Sequence, residues 1–248
     1  MTKIGIIGGS GLDKSDMLGE TSSLNVTTAY GEPSSPLLCG TIGDNEVVLL
    51  SRHGVEHQFS PTEVNYRANI TALKEAGVTQ ILATTACGSL REEIQRGDFI
   101  ILDQFIDYTK HRRTTFFESF QSGATHPAMP DPFDDDLRDV LINCALELDY
   151  RFHKTGTVLT IEGPRFSSRA ESRMFRILGA DVINMSVASE VILANELCIP
   201  YAAVAMSTDY DSWKQDEVAV TWDEIMEVFG QNAARVEKLL VSAVKKIK

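Results

Sequence analysis

The chain has 248 residues, 43% of them hydrophobic and only 8 of them proline, so we expect residues 1–248 to form a single domain. It carries 23 Lys and Arg against 35 Asp and Glu, a formal net charge of −12, and this acidity argues against nucleic acid and anionic membranes as partners. No apolar run approaches the roughly 18 residues that a membrane-spanning helix needs.

Short apolar runs rich in β-branched residues recur along the chain and predict β-strands. The predicted strands are Ile4–Ile7, Val47–Leu50, Gln80–Thr84, Phe99–Leu102, Thr157–Ile161, Asp181–Met185 and Tyr201–Met206. The wider segment Leu38–Leu50 is typical of a hairpin, which favours a mixed sheet over a purely parallel one.

Amphipathic helical patterns separate several of these strands. They cover Val64–Ala76, Asp134–Leu148, Ser168–Leu178 and Val187–Leu197. A last helix begins at a capping box formed by Thr221 and Glu224 and continues to the basic Lys245-Lys246. The alternation predicts an α/β fold with a mixed central β-sheet flanked by helices. The segment Phe105–Pro132 has no strong period, which indicates a long functional loop or an excursion to a neighbouring subunit.

The four cysteines, Cys39, Cys87, Cys144 and Cys198, lie in apolar surroundings without a C-x-x-C pair. This pattern predicts free thiols and a cytoplasmic protein. Cys87 could be read as a nucleophile, but its acidic neighbours would not stabilise a thiolate, so we favour a packing role.

The first predicted strand runs into Gly8-Gly9-Ser10-Gly11. Without Cβ atoms the backbone N–H groups can approach an anion such as phosphate, and Ser10 adds a hydroxyl donor. The glycine spacing fits neither a dinucleotide fingerprint nor a Walker loop, so NAD and ATP are poorly supported. A glycine turn without a ligand is the alternative.

Arg52 and His53 directly follow a second predicted strand. The planar fork of Arg52 suits a phosphate, with His53 as a donor beside it, although two surface polar residues would give the same pattern. His53 and His57 have the i, i+4 spacing of a zinc site, but no helix is expected there and no further ligands complete the set, so we predict no metal.

Small, hydroxyl-bearing and aromatic residues follow two other strands. Thr85 could donate to an oxyanion or a sugar, and Phe166, after a Gly-Pro turn, could stack on a flat ring or pack in the core. Glu162 and Asn184 could contact a ligand, or they could be structural partners for Arg165 or Arg169.

Asp209 and Asp211 lie two positions apart after the last predicted strand. Side chains at this spacing on an extended backbone point the same way. Because ligands of α/β sheets bind beyond the carboxyl ends of strands, both acids could face one small polar molecule. Two solvated acids in a loop are the alternative.

In their order along the chain, these motifs resemble the trimeric purine nucleoside phosphorylase family, and specifically its 5′-methylthioadenosine phosphorylase branch. The resemblance runs nearly end to end. The motifs that carry it are Gly8-Gly9-Ser10-Gly11-Leu12, Arg52-His53-Gly54, Asn65-Tyr66-Arg67-Ala68-Asn69, residues 84–90, residues 162–171, Asn184-Met185 and Thr208-Asp209-Tyr210-Asp211.

The resemblance implies a pentosyltransferase reaction in which 5′-methylthioadenosine and inorganic phosphate give adenine and 5-methylthioribose 1-phosphate. Phosphate would be a co-substrate, with no metal and no organic cofactor. The implied assembly is a homotrimer in which His126 reaches into the neighbouring subunit's site. A purine nucleoside phosphorylase or a 5′-methylthioinosine phosphorylase, with broader or 6-oxopurine specificity, is the alternative.

The resemblance also implies a role for individual residues. The phosphate would be held by Ser10, Arg52, His53, Thr85 and Ser186. The nucleoside would be held by Ala86, Phe166, Ile183, Asn184 and Met185, with His57 and Trp222 near the 5′ substituent, although Trp222 could instead pack under the last helix.

The implied catalytic acids are Asp209, facing N7 of the purine, and Asp211, facing its exocyclic amine. A phosphate dianion would stabilise the positive charge that develops on the ribose, and a proton shared by Asp209 would stabilise the departing purine. Asp211 would prefer adenine, because a 6-oxopurine would turn a second acceptor towards it.

Overall fold

Apolar and β-branched runs form one mixed β-sheet in the computed structural model, which describes residues 2–8, 17–121, 123–215 and 221–248. Within those residues there are eleven strands. They are β1 (Lys3–Gly8), β2 (Ser22–Leu24), β3 (Leu37–Ile42), β4 (Asn45–Ser51), β5 (Gln80–Ser89), β6 (Phe99–Ile101), β7 (Gln104–Tyr108), β8 (Phe152–His153), β9 (Thr157–Ile161), β10 (Val182–Asn184) and β11 (Tyr201–Tyr210).

The sheet branches at β5. On one side β5 pairs in parallel with β1, and the sheet continues through β4 and β3 to β2. β11 also pairs in parallel with β5, whereas β10 pairs antiparallel with the carboxyl end of β5 and leads through β9 to β7. The β3–β4 hairpin is present, with Gly43 at a φ of 61° in its turn. The mixed sheet expected from the sequence is therefore confirmed.

Each predicted helix is present, with ends that differ by at most two residues. The helices are α1 (Tyr66–Glu75), α2 (Asp135–Glu147), α3 (Arg169–Ile177), α4 (Val187–Glu196) and α5 (Trp222–Lys246). α3 and α5 both begin at complete capping boxes, formed by Ser168 with Glu171 and by Thr221 with Glu224. None of the helices in the described part of the chain is long and apolar enough to cross a membrane.

The helices cover both faces of the sheet. Ile70 of α1 and Val191 of α4 pack into one buried cluster, and Leu141 of α2 and Leu240 of α5 pack into a second. Burying an aliphatic side chain of this size contributes about 1.5–3 kcal/mol, so these two clusters hold the layers together.

The structure corrects two predictions about the strands. β5 and β11 were expected to end at Thr84 and Met206, but they continue to Ser89 and Tyr210 and run through the polar motifs. β7 occupies the start of the stretch in which we expected no regular element, so the irregular segment begins only after Tyr108.

Candidate active site

Most of the predicted site residues line a single cavity of about 530 Å³. They come from separate segments that the sheet brings together. The predicted residues in its wall are Arg52, His53, His57, Thr85, Ala86, Phe166, Ile183, Asn184, Met185, Ser186, Asp209 and Asp211.

Arg52 follows β4 and is 1% exposed. Its guanidinium forms a bidentate ion pair with Glu190, with Nη2 at 2.9 Å from Oε2, and Nη1 donates to the carbonyl oxygen of Thr84 at 2.8 Å. Burial opposes the charge, but the Glu190 carboxylate outweighs it and raises the pKa of Arg52 above its usual range. Arg52 is thus a fixed cation in the cavity wall, and three of the five N–H groups that a guanidinium carries are engaged.

His53 lies beside Arg52 as a neutral ring. Burial and the adjacent Arg52 charge lower the pKa of His53 to about 3. Its Nδ1 lies 3.0 Å from the carbonyl oxygen of Phe59, which can only accept, so the ring proton is on Nδ1 and Nε2 carries the lone pair. His57 stacks on this ring with 4.7 Å between centroids.

Hydroxyl groups and a helix N-terminus lie in the same wall. Thr85 is 5% exposed, and its hydroxyl donates to the carbonyl oxygen of Ala86 at 2.9 Å. Ser186 is the N-cap of α4, yet its side chain makes no capping hydrogen bond. Because a helix N-terminus carries partial positive charge, Arg52, Thr85 and α4 together give this part of the cavity the properties of an anion site.

The two acids lie on β11 and just after it. Between Ser207 and Asp209 the pairing of β11 with β5 shifts by one residue, so that Asp209 lies beside Gly88. Bulges of this kind redirect side chains. A Cβ atom added to Gly88 would lie 3.3 Å from Oδ2 of Asp209 and 3.5 Å from Cβ of Asp211, so the missing side chain lets both acids pack closely against β5.

Both carboxyl groups are buried, with Asp209 6% and Asp211 7% exposed. The hydroxyl of Thr208 donates to Oδ1 of Asp209 at 2.7 Å. Burial raises the pKa of Asp211, and the neighbouring hydroxyls of Ser172 and Ser167 oppose that shift. The acids are therefore part of the cavity wall and do not belong to a solvated loop.

The other walls come from two connecting segments. Phe166 is 41% exposed and lines the cavity. Gly163 has a φ of 70°, and a Cβ atom there would lie 2.5 Å from the sulfur of Met185, so only glycine lets this segment approach Met185.

Glu162 is a structural residue rather than a wall residue, and it does not pair with Arg165 or Arg169. It accepts hydrogen bonds from the backbone N–H groups of Lys110 and His111 at 2.6 and 2.9 Å. The hydroxyl of Thr62 and the guanidinium of Arg112 complete its partners at 2.8 and 3.2 Å. Despite partial burial, these contacts lower the pKa of Glu162 to about 2.

Three predicted residues are not in the described wall. Ser10, with the glycines around it, lies outside the described residues, as does the side chain of Trp222. His126 is exposed, outside the cavity of its own chain, and contacts the ring of Phe120 with 5.3 Å between centroids. Among the described residues, no group of three His, Cys, Asp or Glu side chains could hold a metal ion.

Sequence patterns did not identify three buried residues behind the wall. Glu190 holds Arg52, and Tyr201 donates to the same carboxylate at 2.7 Å. Thr160 donates to Oδ1 of Asn184 at 2.7 Å. Glu190 lies inside an ordinary helical pattern, and Thr160 and Tyr201 lie inside ordinary strand patterns.

The class of protein follows from a family comparison. Residues 3–245 match the model of the phosphorylase superfamily. The chain therefore belongs to the phosphorylase superfamily, and the family expected from the motifs is confirmed.

Two relatives and one solved structure that resemble the chain point to one kind of enzyme within this superfamily. The chain is 52% identical to the S-methyl-5′-thioadenosine phosphorylase of Xenopus tropicalis and 51% identical to that of Danio rerio, in both cases over 99% of this chain and 89% of the relative. It also superimposes on a methylthioadenosine phosphorylase from Schistosoma mansoni in complex with adenine, with a TM-score of 0.94 and 40% identity over 99% of this chain and 91% of that one.

Proposed function

We propose that the protein is an S-methyl-5′-thioadenosine phosphorylase, which converts 5′-methylthioadenosine and inorganic phosphate into adenine and 5-methylthioribose 1-phosphate. The observation that carries this proposal is that one cavity holds both an anion site and two buried carboxyl groups. The names of the relatives that share half of its residues support it.

The distance between the anion site and the two buried carboxyl groups suits a nucleoside with a phosphate beside its sugar. Thr85 belongs to the anion site, and Gly88, three residues further along β5, lies beside the acids. A strand rises about 3.3 Å per residue, so the two parts of the site are about 10 Å apart.

Each part of the site has a task in the proposed reaction. A phosphate held near Arg52, Thr85 and Ser186 would place an oxygen against C1′ of the ribose and balance the positive charge that develops there. As the bond from C1′ to N9 breaks, its electrons pass to the purine. Asp209 would then donate or share a proton at N7, which neutralises the leaving group.

The role of His53 follows from its protonation state. With the proton of Nδ1 engaged by Phe59, the neutral ring offers an acceptor at Nε2, so its side chain is not a cationic ligand for phosphate. Arg52 then supplies the positive charge, and we propose that His53 contributes a polar wall between the phosphate and the sugar.

Asp211 is proposed to select adenine. An ionised carboxylate accepts from the exocyclic amine of adenine, whereas a 6-oxopurine would leave two acceptors facing each other. The base and the ribose would be surrounded by five residues of the cavity wall, Ala86, Phe166, Ile183, Asn184 and Met185. His57 and Trp222 would lie nearer the 5′ substituent.

The direct test is release of adenine by the purified protein, measured with and without phosphate. We expect phosphate-dependent turnover of 5′-methylthioadenosine, and slower turnover of inosine and 5′-methylthioinosine. Faster turnover of inosine would overturn the adenine preference. Ligand binding without phosphate-dependent adenine release would identify a purine-binding module instead. Activity retained after treatment with EDTA would support a reaction that needs no metal, and full activity of the dialysed protein with only nucleoside and phosphate added would support one that needs no organic cofactor.

The same proposal includes a homotrimer in the cytoplasm, acting on small molecules. The exposed position of His126, outside its own cavity and beside the half-exposed Phe120, supports a role at a neighbouring subunit's site. The free cysteines support a reducing compartment. Light scattering would test the assembly, and a His126→Ala variant with an unchanged KM for nucleoside would remove this residue from the shared site.

A further inference from the structure

Thr160 lies in β9 behind the cavity, is fully buried and does not line the wall. It is the register partner of Asn184 in the neighbouring strand β10. A buried hydroxyl needs hydrogen-bond partners, and the partners of Thr160 lead directly to two of the proposed phosphate ligands.

The direction of these hydrogen bonds is fixed by backbone groups. The N–H of Ala188 lies 3.1 Å from Oγ1 of Thr160, and a backbone N–H can only donate. The hydroxyl of Thr160 accepts there and donates its own proton to Asn184 at 2.7 Å. The N–H of Ser186 points to the same atom of Asn184 at 3.4 Å, so that atom is the amide oxygen.

The orientation of Asn184 then decides the role of Thr85. With its oxygen held by two donors, Asn184 turns Nδ2 towards Oγ1 of Thr85, at 3.3 Å. Thr85 accepts this hydrogen bond, which leaves its hydroxyl proton for another acceptor. In the structure that acceptor is the carbonyl oxygen of Ala86. A phosphate oxygen would be a stronger one, because it is charged.

Thr160 also frees Ser186. The side chain of an N-cap residue normally accepts from the N–H of the second or third helical residue. Ala188 is the second residue of α4, and its N–H is already satisfied by Thr160. Ser186 makes no capping hydrogen bond, so its hydroxyl remains available to the cavity.

We propose that Thr160 is a positioning residue for the phosphate site: it directs the hydroxyl proton of Thr85 into the cavity and caps α4 in place of Ser186. This inference rests on the proposed function for the identity of the anion. The chain of hydrogen bonds exists whether or not the protein cleaves a nucleoside.

The test is Thr160→Val, which removes the hydroxyl and keeps the shape. We expect the KM for phosphate to rise about tenfold, the loss of roughly one hydrogen bond to a charged group, while the KM for nucleoside stays within about twofold. Thr160→Ser restores the hydroxyl and should restore the KM for phosphate. Thr71→Val is the matched control, because Oγ1 of Thr71 is buried without a hydrogen-bond partner among the described residues.

Two results would overturn the inference. One is an equal rise in both KM values, which would mean a general distortion. The other is failure of Thr160→Ser to restore the phosphate KM, which would mean that the hydroxyl is not the cause.

A second variant tests the capping argument even if Thr160→Val does not fold. Loss of an N-cap costs about 1 kcal/mol, which lowers Tm by about 2–4 °C in a chain of this size. Ser186→Ala should leave Tm unchanged and raise the KM for phosphate. A fall in Tm of that size would show that Ser186 is the cap and that Thr160 is not.

Binding measurements separate this inference from the proposed function. Inorganic phosphate should raise Tm of the wild type and of Thr71→Val, and raise it much less in Thr160→Val, whereas adenine should raise Tm equally in all three. That pattern in a protein without phosphorolytic activity would reject the proposed function and keep the inference. Normal activity, together with an equal rise in Tm on phosphate binding in the wild type and both variants, would reject the inference and keep the function.

Discussion

Arg52 and Glu190 form a bidentate ion pair in which each side chain is 1% exposed. Glu190 lies in the first turn of α4 and Arg52 just after β4, so the pair joins two elements that meet at the cavity. The carboxylate satisfies two donors of Arg52 and leaves others for a ligand. Removing one member of a buried pair leaves the other as an uncompensated charge, and that penalty exceeds the net value of the pair itself.

We therefore predict that Glu190→Gln lowers the free energy of unfolding by about 3–5 kcal/mol. It should also raise the KM for phosphate, because the Arg52 guanidinium is no longer held. Chemical denaturation and steady-state kinetics check the two effects. Tyr201→Phe removes only the hydrogen bond from Tyr201 to the Glu190 carboxylate, and it should lower the free energy of unfolding by about 1–3 kcal/mol.

The exposed ion pair between Lys3 and Glu46 provides the control. Glu46→Gln should leave both stability and kinetics close to the wild type, since solvent screens such pairs. Equal effects of Glu46→Gln and Glu190→Gln would show that burial does not set the strength of the Arg52 pair.

Local signals in the sequence were enough to predict the helices. The capping box expected at Thr221 and Glu224 is complete in the structure, and Ser168 with Glu171 forms a second one at the same spacing. Such signals act within one turn, which is why these boundaries were nearly right.

The strand ends were harder to predict. β5 continues through Ala86 and Gly88 because small residues allow close pairing with β10 and β11, and that partnership depends on segments more than 90 residues away. Propensity alone indicated an end at Thr84. β7 was missed for a related reason, since it pairs with β9, a segment about 50 residues further along the chain.

The cavity wall could be predicted and the residues behind it could not. Motifs such as Arg52-His53 and Asp209-Tyr210-Asp211 have recognisable types and spacings. Glu190 lies 138 positions from Arg52 in the chain, and an acid in the first turn of a helix is usually explained by the helix dipole. Only the fold shows that Glu190 is buried against Arg52.

For Asp209→Asn we predict a fall in kcat for 5′-methylthioadenosine of about 100-fold or more, with a smaller change in the dissociation constant for nucleoside. The amide keeps the shape of the carboxyl group but cannot deliver a proton to N7. Single-turnover kinetics and equilibrium binding measure the two quantities. Asp139→Asn, on the exposed face of α2, is the control, and an unchanged kcat in Asp209→Asn would remove Asp209 from the chemistry.

The neutral state of His53 predicts a pH dependence of stability. The pKa is lowered from 6.5 to about 3 on folding, so between these values the unfolded chain binds a proton that the folded chain does not. The His53 contribution to stability is therefore complete above about pH 6.5 and falls as the pH is lowered towards 3, by about 2 kcal/mol at pH 5.

His53→Gln should remove this component. The measurement is the free energy of unfolding of both proteins at pH 8, where the ring is neutral in either state, and again at pH 5. At pH 8 the free energy of unfolding of the wild type minus that of His53→Gln gives the cost of lost packing. At pH 5 this difference should be about 2 kcal/mol smaller, because only the wild type loses the His53 contribution. A gap that is the same at both values would contradict a neutral, buried ring.

Gly88 and Gly230 allow the same substitution to be compared in two places. At Gly88 a Cβ atom would lie 3.1 Å from Cγ2 of Ile183 and 3.3 Å from Oδ2 of Asp209, closer than ordinary contact. At Gly230, inside α5, a Cβ atom would meet nothing within 4 Å. We predict that Gly88→Ala weakens adenine binding at least about tenfold, because about 1.4 kcal/mol of strain suffices, while phosphate binding changes little.

Gly230→Ala should leave both affinities unchanged and stabilise the protein by about 0.5–1 kcal/mol, since alanine suits a helix interior better than glycine. Calorimetric titration with adenine and with phosphate, together with thermal unfolding, tests both variants. Equal loss of adenine and phosphate binding in Gly88→Ala would mean that the substitution disturbs β5 as a whole. Unchanged adenine binding would mean that the close contact of the two acids with Gly88 does not set the position of the base.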